Sequence, residues 1–513
     1  DVYKRQINII TDDVKNAINV SSDTRYASKG RFTQSVNIDV NTGKFGSYTS
    51  YRRQQAEGWQ LNPYEENSKT HELEETGKVA STGFYANTVN QKFTFDATDK
   101  LSFYARGGYY DNKTRRPYEA YDYNILHETF NYGIGAQYMI NKGNYITADC
   151  YADHFSSSYC FFKDNKTYNG KAGEEQVRKR TRNHNLSIKG IFKLGNRHKL
   201  SVGTEYIVDV LKSQTDNIAK EDAYTLALFA QDEIKLLRNL QALIGVRYIY
   251  HENFKNHATP NVALMYKPGK FNFRASYAAG FRTPTLSELY ATDIAKKNDR
   301  LTIGNLDLKP EKNNYFSLSA EYVHERFSVS VNAFYNNIRD MIDYNTIATG
   351  DKAMEQYGHK EVRQRDNIAE AKVHGINVSA NAYLGAGFNL SGGYTHLNTQ
   401  DVELEQPIDK SIKNAYNINA QWAHSWKIYR LNINLNGRFN SKRFSKSYGY
   451  APEYQLWDLN TRHSFNLKSV IIEPGCGMEN LFDYMDDRPY NSNYATLTPG
   501  RSFYISLSLK FKS

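Results

Sequence analysis

The 513-residue chain has a mean hydropathy of −0.70 and no run of about 18 apolar residues, which excludes a membrane-spanning helix but not a spanning β-barrel. Its formal net charge of +10 is dispersed along the chain rather than gathered in one patch, which argues against nucleic-acid binding. Three cysteines, an odd and small number, encode no disulfide framework, and no CxxC, HExxH or zinc-ligand series occurs. With 41 tyrosines the chain is unusually rich in a side chain that suits an interfacial girdle, where a ring meets lipid and a hydroxyl meets water.

Taken from the N-terminus, Asp1–Gln6 fits no element and reads as an appended remnant. From about residue 16, period-two alternation and turn chemistry lay down strands. They are expected at 16–28, 31–41, 44–57, 80–97, 101–112, 125–140, 145–162, 176–194, 199–213, 224–236, 240–253, 258–267, 270–281, 313–323, 327–344, 365–383, 387–400, 411–425, 429–443, 454–467, 470–482 and 500–511. The last is the clearest: Phe503, Ile505, Leu507, Leu509 and Phe511 alternate with Tyr504, Ser506, Ser508 and Lys510. Cys150 and Cys160 share one strand and would sit roughly 33 Å apart at about 3.3 Å per residue, so they cannot pair. All three cysteines read as packing residues.

The connections alternate in length. Those after even-numbered strands are short and turn-like, such as Asn41-Thr42-Gly43-Lys44 and Lys267-Pro268-Gly269-Lys270. Most after odd-numbered strands are longer and polar, at 58–79, 113–124, 163–175, 282–312, 345–364, 401–410 and 483–499; the connection near Ser28-Lys29-Gly30 is an exception. Loop length that follows strand parity is expected of a barrel with short periplasmic turns and long extracellular loops. Polar backbone at lipid depth must be paired, so the first and last strands should join. The fold class is all-β, a transmembrane antiparallel β-barrel of about 22 strands.

Gly280-Phe281-Arg282-Thr283-Pro284 ends one alternating strand, and Gly304-Asn305-Leu306-Asp307-Leu308-Lys309-Pro310-Glu311 leads into the next, with a polar connection lacking strand pattern between them. These two blocks resemble the signature boxes of TonB-dependent outer-membrane receptors. Phe229-Ala230-Gln231-Asp232-Glu233 with Gly245-Val246-Arg247-Tyr248 resembles a hairpin of the same family, and Glu479–Asp483 with Pro499–Phe503 resembles its last two strands. Ile7-Asn8-Ile9-Ile10-Thr11 is similar to the end of the family's plug domain. The ending near Phe511 resembles the C-terminal aromatic signal of outer-membrane proteins, although Lys512 and Ser513 follow it. The resemblance implies residues 1–15 as a remnant of the plug and its linker, with most of the plug lying outside this chain, and residues 16–513 as the barrel.

It further implies a receptor that imports a scarce nutrient into the periplasm by TonB-coupled transport. A ferric siderophore is the foremost cargo, haem and cobalamin the alternatives, and a passive porin or adhesin barrel the rival reading. Implied partners are the TonB complex through the N-terminal plug, the ferric siderophore or similar nutrient, outer-membrane lipid and a surface lipoprotein over the loops as a further candidate, with no nucleic acid. Haem-transporting relatives are expected to carry a histidine between the two boxes, and residues 285–303 contain none.

Arg115, Arg116, Tyr118, Tyr121 and Tyr123 form an aromatic-basic connection that could recognise a bulky aromatic or anionic nutrient by stacking and charge. Arg282 in the first box and His359 in another loop complete the candidate ligand contacts, although the box residues equally suit shaping a strand end. His251 and His257 read as polar surface or lumen residues. Glu65, Glu66, Asp486 and Asp487 fall in connections without the geometry of an acid–base pair. No catalytic residues, cofactor or metal set is expected, and the chain is not read as an enzyme.

Overall fold

A computed structural model describes residues 17–67, 70–295, 299–446, 449–490 and 498–512; the expected plug remnant, with Asp1–Gln6 and Ile7–Thr11, lies outside the described residues. Twenty-two long strands among the described residues form one antiparallel wall. The first eleven are β1 (Ile18–Ala27), β2 (Arg31–Asn41), β3 (Phe45–Ala56), β4 (Gly83–Asp96), β5 (Leu101–Arg115), β6 (Tyr123–Asn141), β7 (Asn144–Phe161), β8 (Glu175–Leu194), β9 (His198–Ser213), β10 (Ile218–Leu237) and β11 (Leu240–His251). The rest are β12 (Lys255–Tyr266), β13 (Phe271–Arg282), β14 (Glu311–Val323), β15 (Phe327–Thr349), β16 (Glu361–Gly385), β17 (Phe388–Asp401), β18 (Asn414–Trp426), β19 (Tyr429–Asn440), β20 (Tyr454–Leu467), β21 (Val470–Glu479) and β22 (Ser502–Lys512).

Each strand pairs with its neighbours in sequence, and β1 pairs with β22 from Asn19↔Lys512 to Ala27↔Tyr504, so the sheet closes without an edge. Closure leaves no unpaired backbone at lipid depth. The register sorts side chains by face. Val20 and Tyr26 of β1 lie against Phe511 and Ile505, all on the outer wall, while Asp23 and Arg25 lie against Ser508 and Ser506 on the lumen side. Ile505 is 66% exposed in the isolated chain, as a lipid-facing residue should be. Cys150 and Cys476 are likewise exposed on the outer wall, which departs from the packing role expected of the cysteines.

The connections after even-numbered strands hold two to four residues, whereas the long loops all follow odd-numbered strands. Besides 28–30, two further odd connections, 214–217 and 252–254, are short, because β10 begins at Ile218 rather than near 224 and β12 at Lys255. Likewise β15 runs on to Thr349 and β16 begins at Glu361, while β21 stops at Glu479. Alternation marks only the part of a strand with lipid on one side. Above that belt both faces meet water, period two fades, and the pairing continues unseen.

The connection between β13 and β14 is also more ordered than its polar composition suggested. It holds helix α1 (Leu286–Tyr290) and two short strands, Thr292–Ala295 and Arg300–Ile303, the second of which pairs in parallel with the start of β16. The Thr285–Glu288 capping box starts α1. Helix α2 (Gly350–Tyr357) caps the β15–β16 hairpin and stops at Gly358, whose φ of +71° closes a left-handed turn. Among the described residues, the clusters of buried apolar side chains sit in this cap. Leu301, Ala348, Ala353 and Val362 form one cluster, and Leu289, Leu308 and Ile342 another.

Candidate functional site at the barrel mouth

The two sequence boxes meet in space through Arg282. Its Nε donates to Glu311 Oε2 at 2.8 Å and its Nη2 to Glu311 Oε1 at 2.6 Å, while Nη1 donates to Glu288 Oε2 at 2.9 Å. Glu311 is buried and also accepts the Ile342 backbone N–H at 3.1 Å, tying the box to β15. Burial pushes the Glu288 carboxyl up, but hydrogen bonds from Arg282 and Thr285 outweigh it and hold the group below the usual carboxylate value. The second box is fastened to the β15–β16 hairpin: Asn367 donates to the Lys309 and Asp340 carbonyls and accepts the Lys309 N–H at 2.7 Å. Gly304 belongs here because a Cβ would lie 2.5 Å from the Leu289 carbonyl oxygen. The guanidinium of Arg282 is therefore committed to two carboxylates that hold the cap in place.

A different set of side chains lines the mouth between β5 and β8. The Arg116 guanidinium lies 4.8 Å from the Tyr121 ring centre and 5.1 Å from that of Tyr123. Tyr123 stacks on Tyr159 of β7 at 4.1 Å, and the Tyr168 ring meets Tyr159 edge-on at 5.1 Å. Arg178 of β8 closes the group, 5.3 Å from the Tyr159 ring and 5.0 Å from Tyr168. Tyr123 and Tyr159 share the lumen parity of Asp149 on β7, which lines the polar cavity below, so their rings face the channel rather than lipid. That cavity, about 1170 Å³, is lined by polar groups including Asn37, Asp39, Tyr48, Lys92, Gln137 and Asp149.

Among the candidates read from sequence, the structure gathers Arg116, Tyr121 and Tyr123 and separates the others. Arg115 lies 5.7 Å from the Tyr85 ring, on the outer side of β5. Tyr118 is exposed, stacks on Phe162 at 5.4 Å and carries the Lys163 ammonium 3.9 Å above its ring. His359 stands in the cap, its Nδ1 2.9 Å from Asp299 Oδ1, and this bond holds the Asp299 carboxyl below its ordinary value. Tyr159, Tyr168 and Arg178 were not singled out from sequence. Tyr159 lies on an ordinary alternating strand, and only the β6–β7–β8 register brings the three to Tyr123.

Of the loop acids, Glu65 takes the Lys78 ammonium at 2.6 Å, and Asp486, buried, takes the Arg488 guanidinium at 2.7 and 2.8 Å. No cluster of three or more His, Cys, Asp or Glu suited to a metal ion occurs among the described residues. The mouth thus presents two guanidinium groups against a set of tyrosine ring faces.

The sequence pattern of the family described as "TonB dependent receptor-like, beta-barrel" matches residues 19–473. The chain belongs to this family. Three solved structures illustrate the likeness of fold. A mutant of the ferric enterobactin receptor PfeA from Pseudomonas aeruginosa superposes with a TM-score of 0.80 at 15% identity, covering 96% of this chain and 80% of that one. The siderophore receptor PirA from Acinetobacter baumannii gives 0.78 at 15% identity, covering 98% and 82%. The copper transporter OprC gives 0.75 at 11% identity, covering 97% and 80%. A TonB-dependent receptor barrel is a receptor and transporter scaffold rather than an enzyme, and a closed barrel of 22 strands fits the outer membrane. Scaffolds of this shape carry different cargo names, so the fold alone leaves the cargo open.

Proposed function

We propose that the protein is an outer-membrane importer that takes up a ferric siderophore with energy supplied through the TonB complex. The observation that carries the cargo reading is the cation–aromatic group Arg116, Tyr121, Tyr123, Tyr159, Tyr168 and Arg178 on the lumen side of the mouth. Two fixed guanidinium groups with ring faces between them suit a bulky, anionic, ring-bearing chelate, which gains charge pairing and stacking together. The names of the siderophore receptors sharing the fold support the same class. Arg115, Tyr118, Arg282 and His359 take outer roles in this reading: the first two border the mouth, and the last two hold the cap above it. Residues 1–15 form the end of a plug domain through which TonB acts, and a surface lipoprotein covering the loops is a further partner of this reading.

The test is uptake by the native cell, with and without this gene, of labelled ferric siderophores, haem and cobalamin at trace concentration. Loss of a ferric siderophore alone supports the proposal. Loss of haem or cobalamin instead assigns a different cargo, and unchanged uptake of all three favours a passive barrel.

A further inference from the structure

A group of cations stands on the outer wall of β8 and β9, where that wall leaves its apolar belt. Ser187 of β8 pairs with Asp149, which lines the lumen cavity, so the even-numbered residues of β8 face outward. From the short turn towards the long-loop end these include Leu194, Ile188 and Leu186, all exposed and apolar, and then His184, Arg182 and Arg180. Lys212 of β9 lies directly opposite Arg180 on the same face. Arg180, Arg182 and Lys212 are all exposed.

Height along a single strand can be counted. A residue advances about 3.3 Å along a strand, or about 2.5 Å along the barrel axis at a tilt of about 40°. With Leu194, beside the short turn, as one border, Leu186 lies about 20 Å up, Arg182 about 30 Å and Arg180 about 35 Å, against an apolar band about 25 Å tall. The rings of Tyr206, Tyr224 and Tyr250 on β9, β10 and β11, spaced 6.0 and 6.1 Å apart on the outer face, mark the same border, with Tyr206 opposite Leu186. The two arginines therefore lie in the layer of lipid head groups, with Lys212 beside them.

The chain itself does not neutralise them. Among the described residues none of the three side chains has an ion-pair or hydrogen-bond partner. The outward positions of β7 from Ile146 to Ser156, of β8 from Arg180 to Leu194 and of β9 from Leu200 to Lys212 hold no carboxylate. On the flanking strands, Glu128 of β6 takes the Tyr109 hydroxyl at 2.8 Å and Asp222 of β10 takes the Lys220 ammonium at 3.3 Å. Arg180 and Lys212 are like charges on directly opposed residues, a pairing that destabilises two strands unless an anion comes between them. A phosphate can take a guanidinium through two parallel hydrogen bonds and pair with an ammonium as a point charge.

We propose that Arg180, Arg182 and Lys212 form an outer-wall site for the phosphomonoester head group of a membrane lipid, whose acyl chains run down over Leu186, Ile188 and Tyr206. A phosphomonoester carries a charge of about −1.5 to −2 at neutral pH, more than a diester, and so matches three clustered cations better. This inference is independent of the cargo and of energy coupling.

The test titrates the full chain, in neutral detergent micelles, with lipid A, whose two phosphates are monoesters, and with lipid A stripped of both. Bound lipid is counted by native mass measurement. The phosphorylated lipid should bind at least tenfold more tightly than the stripped one. Each cation removed should weaken it about fivefold, and Arg180→Ala/Arg182→Ala/Lys212→Ala about 100-fold. Arg339→Ala, which removes a cation of β15 already paired with Glu370 at 3.9 Å, should leave binding unchanged. Should the triple variant not fold, Arg182→Gln measured against Arg339→Gln decides by the same fivefold loss. Equal affinity for the two lipids, variants of the site that bind like the original chain, or an equal loss on changing Arg339 would overturn the proposal. Displacement of bound lipid A by millimolar inorganic phosphate would overturn it too, by assigning the site to a free anion.

Discussion

Arg282 shows how much one side chain can hold. Its partners Glu311 and Glu288 are mostly withdrawn from water, so Arg282→Ala would leave two carboxylates uncompensated, at a cost of about 3 kcal/mol to the cap. Hydrogen exchange should then speed up across 283–310 while β1–β3 keep their protection. The same cluster gives a pH response. Glu288 titrates lower in the folded cap than in the unfolded chain, so its stabilising contribution is complete above the ordinary carboxylate value of 4.5 and is lost as pH falls through the lower folded value. Exchange of the 283–310 amides, corrected for intrinsic rate, should therefore rise below about pH 4.5. At the mouth, Tyr159→Ala removes the ring that stands between Tyr123 and Arg178, and Arg178→Ala removes a cation. Each should weaken binding of a ferric siderophore about tenfold, since a cation–π contact out of water contributes roughly 1–2 kcal/mol. Arg115→Ala, on the outer side of β5, should leave the measured affinity within about twofold.

At the level of elements, the cap is the least barrel-like part of the molecule and has its own packing logic. The strand Arg300–Ile303 adds to β16, and Val362 beneath it is fully buried between Leu301, Ala348 and Ala353. Gly304 follows that strand and lets the chain pass against α1. Gly304→Ala would press a methyl group against backbone that cannot yield easily, which should cost about 1–3 kcal/mol. Limited proteolysis should then cut within 283–310 at protease levels that leave the original chain intact. The capping box that starts α1 was present in the sequence as Thr285-Leu286-Ser287-Glu288, a signal that composition masked because the surrounding connection is polar. The parallel strand pair was not legible, since four residues at 300–303 carry too little pattern to compete with a loop.

For the whole molecule, stability rests on the match between an apolar outer wall and hydrocarbon, and on a wall with no free edge. Val246 is exposed on the outer face of β11 between Ala230 and Pro260, so Val246→Arg should cost about 2–4 kcal/mol in lipid. Gln137→Arg, facing the polar cavity, should change stability by less than about 1 kcal/mol. Denaturant unfolding in lipid vesicles would compare the two. If both cost the same, the assignment of inner and outer faces by register is wrong.

Alternation determined the barrel from sequence, because a strand between lipid and water must present each to a different face and writes that demand into every second residue. Loop length by parity was also legible, since turns on one side need only reverse the chain. The strand ends above the belt, the cap and the mouth were decided by the tertiary structure alone. There the solvent is water on both sides, and the contacts join residues that are distant in sequence, Arg282 to Glu311 and Tyr123 to Tyr159.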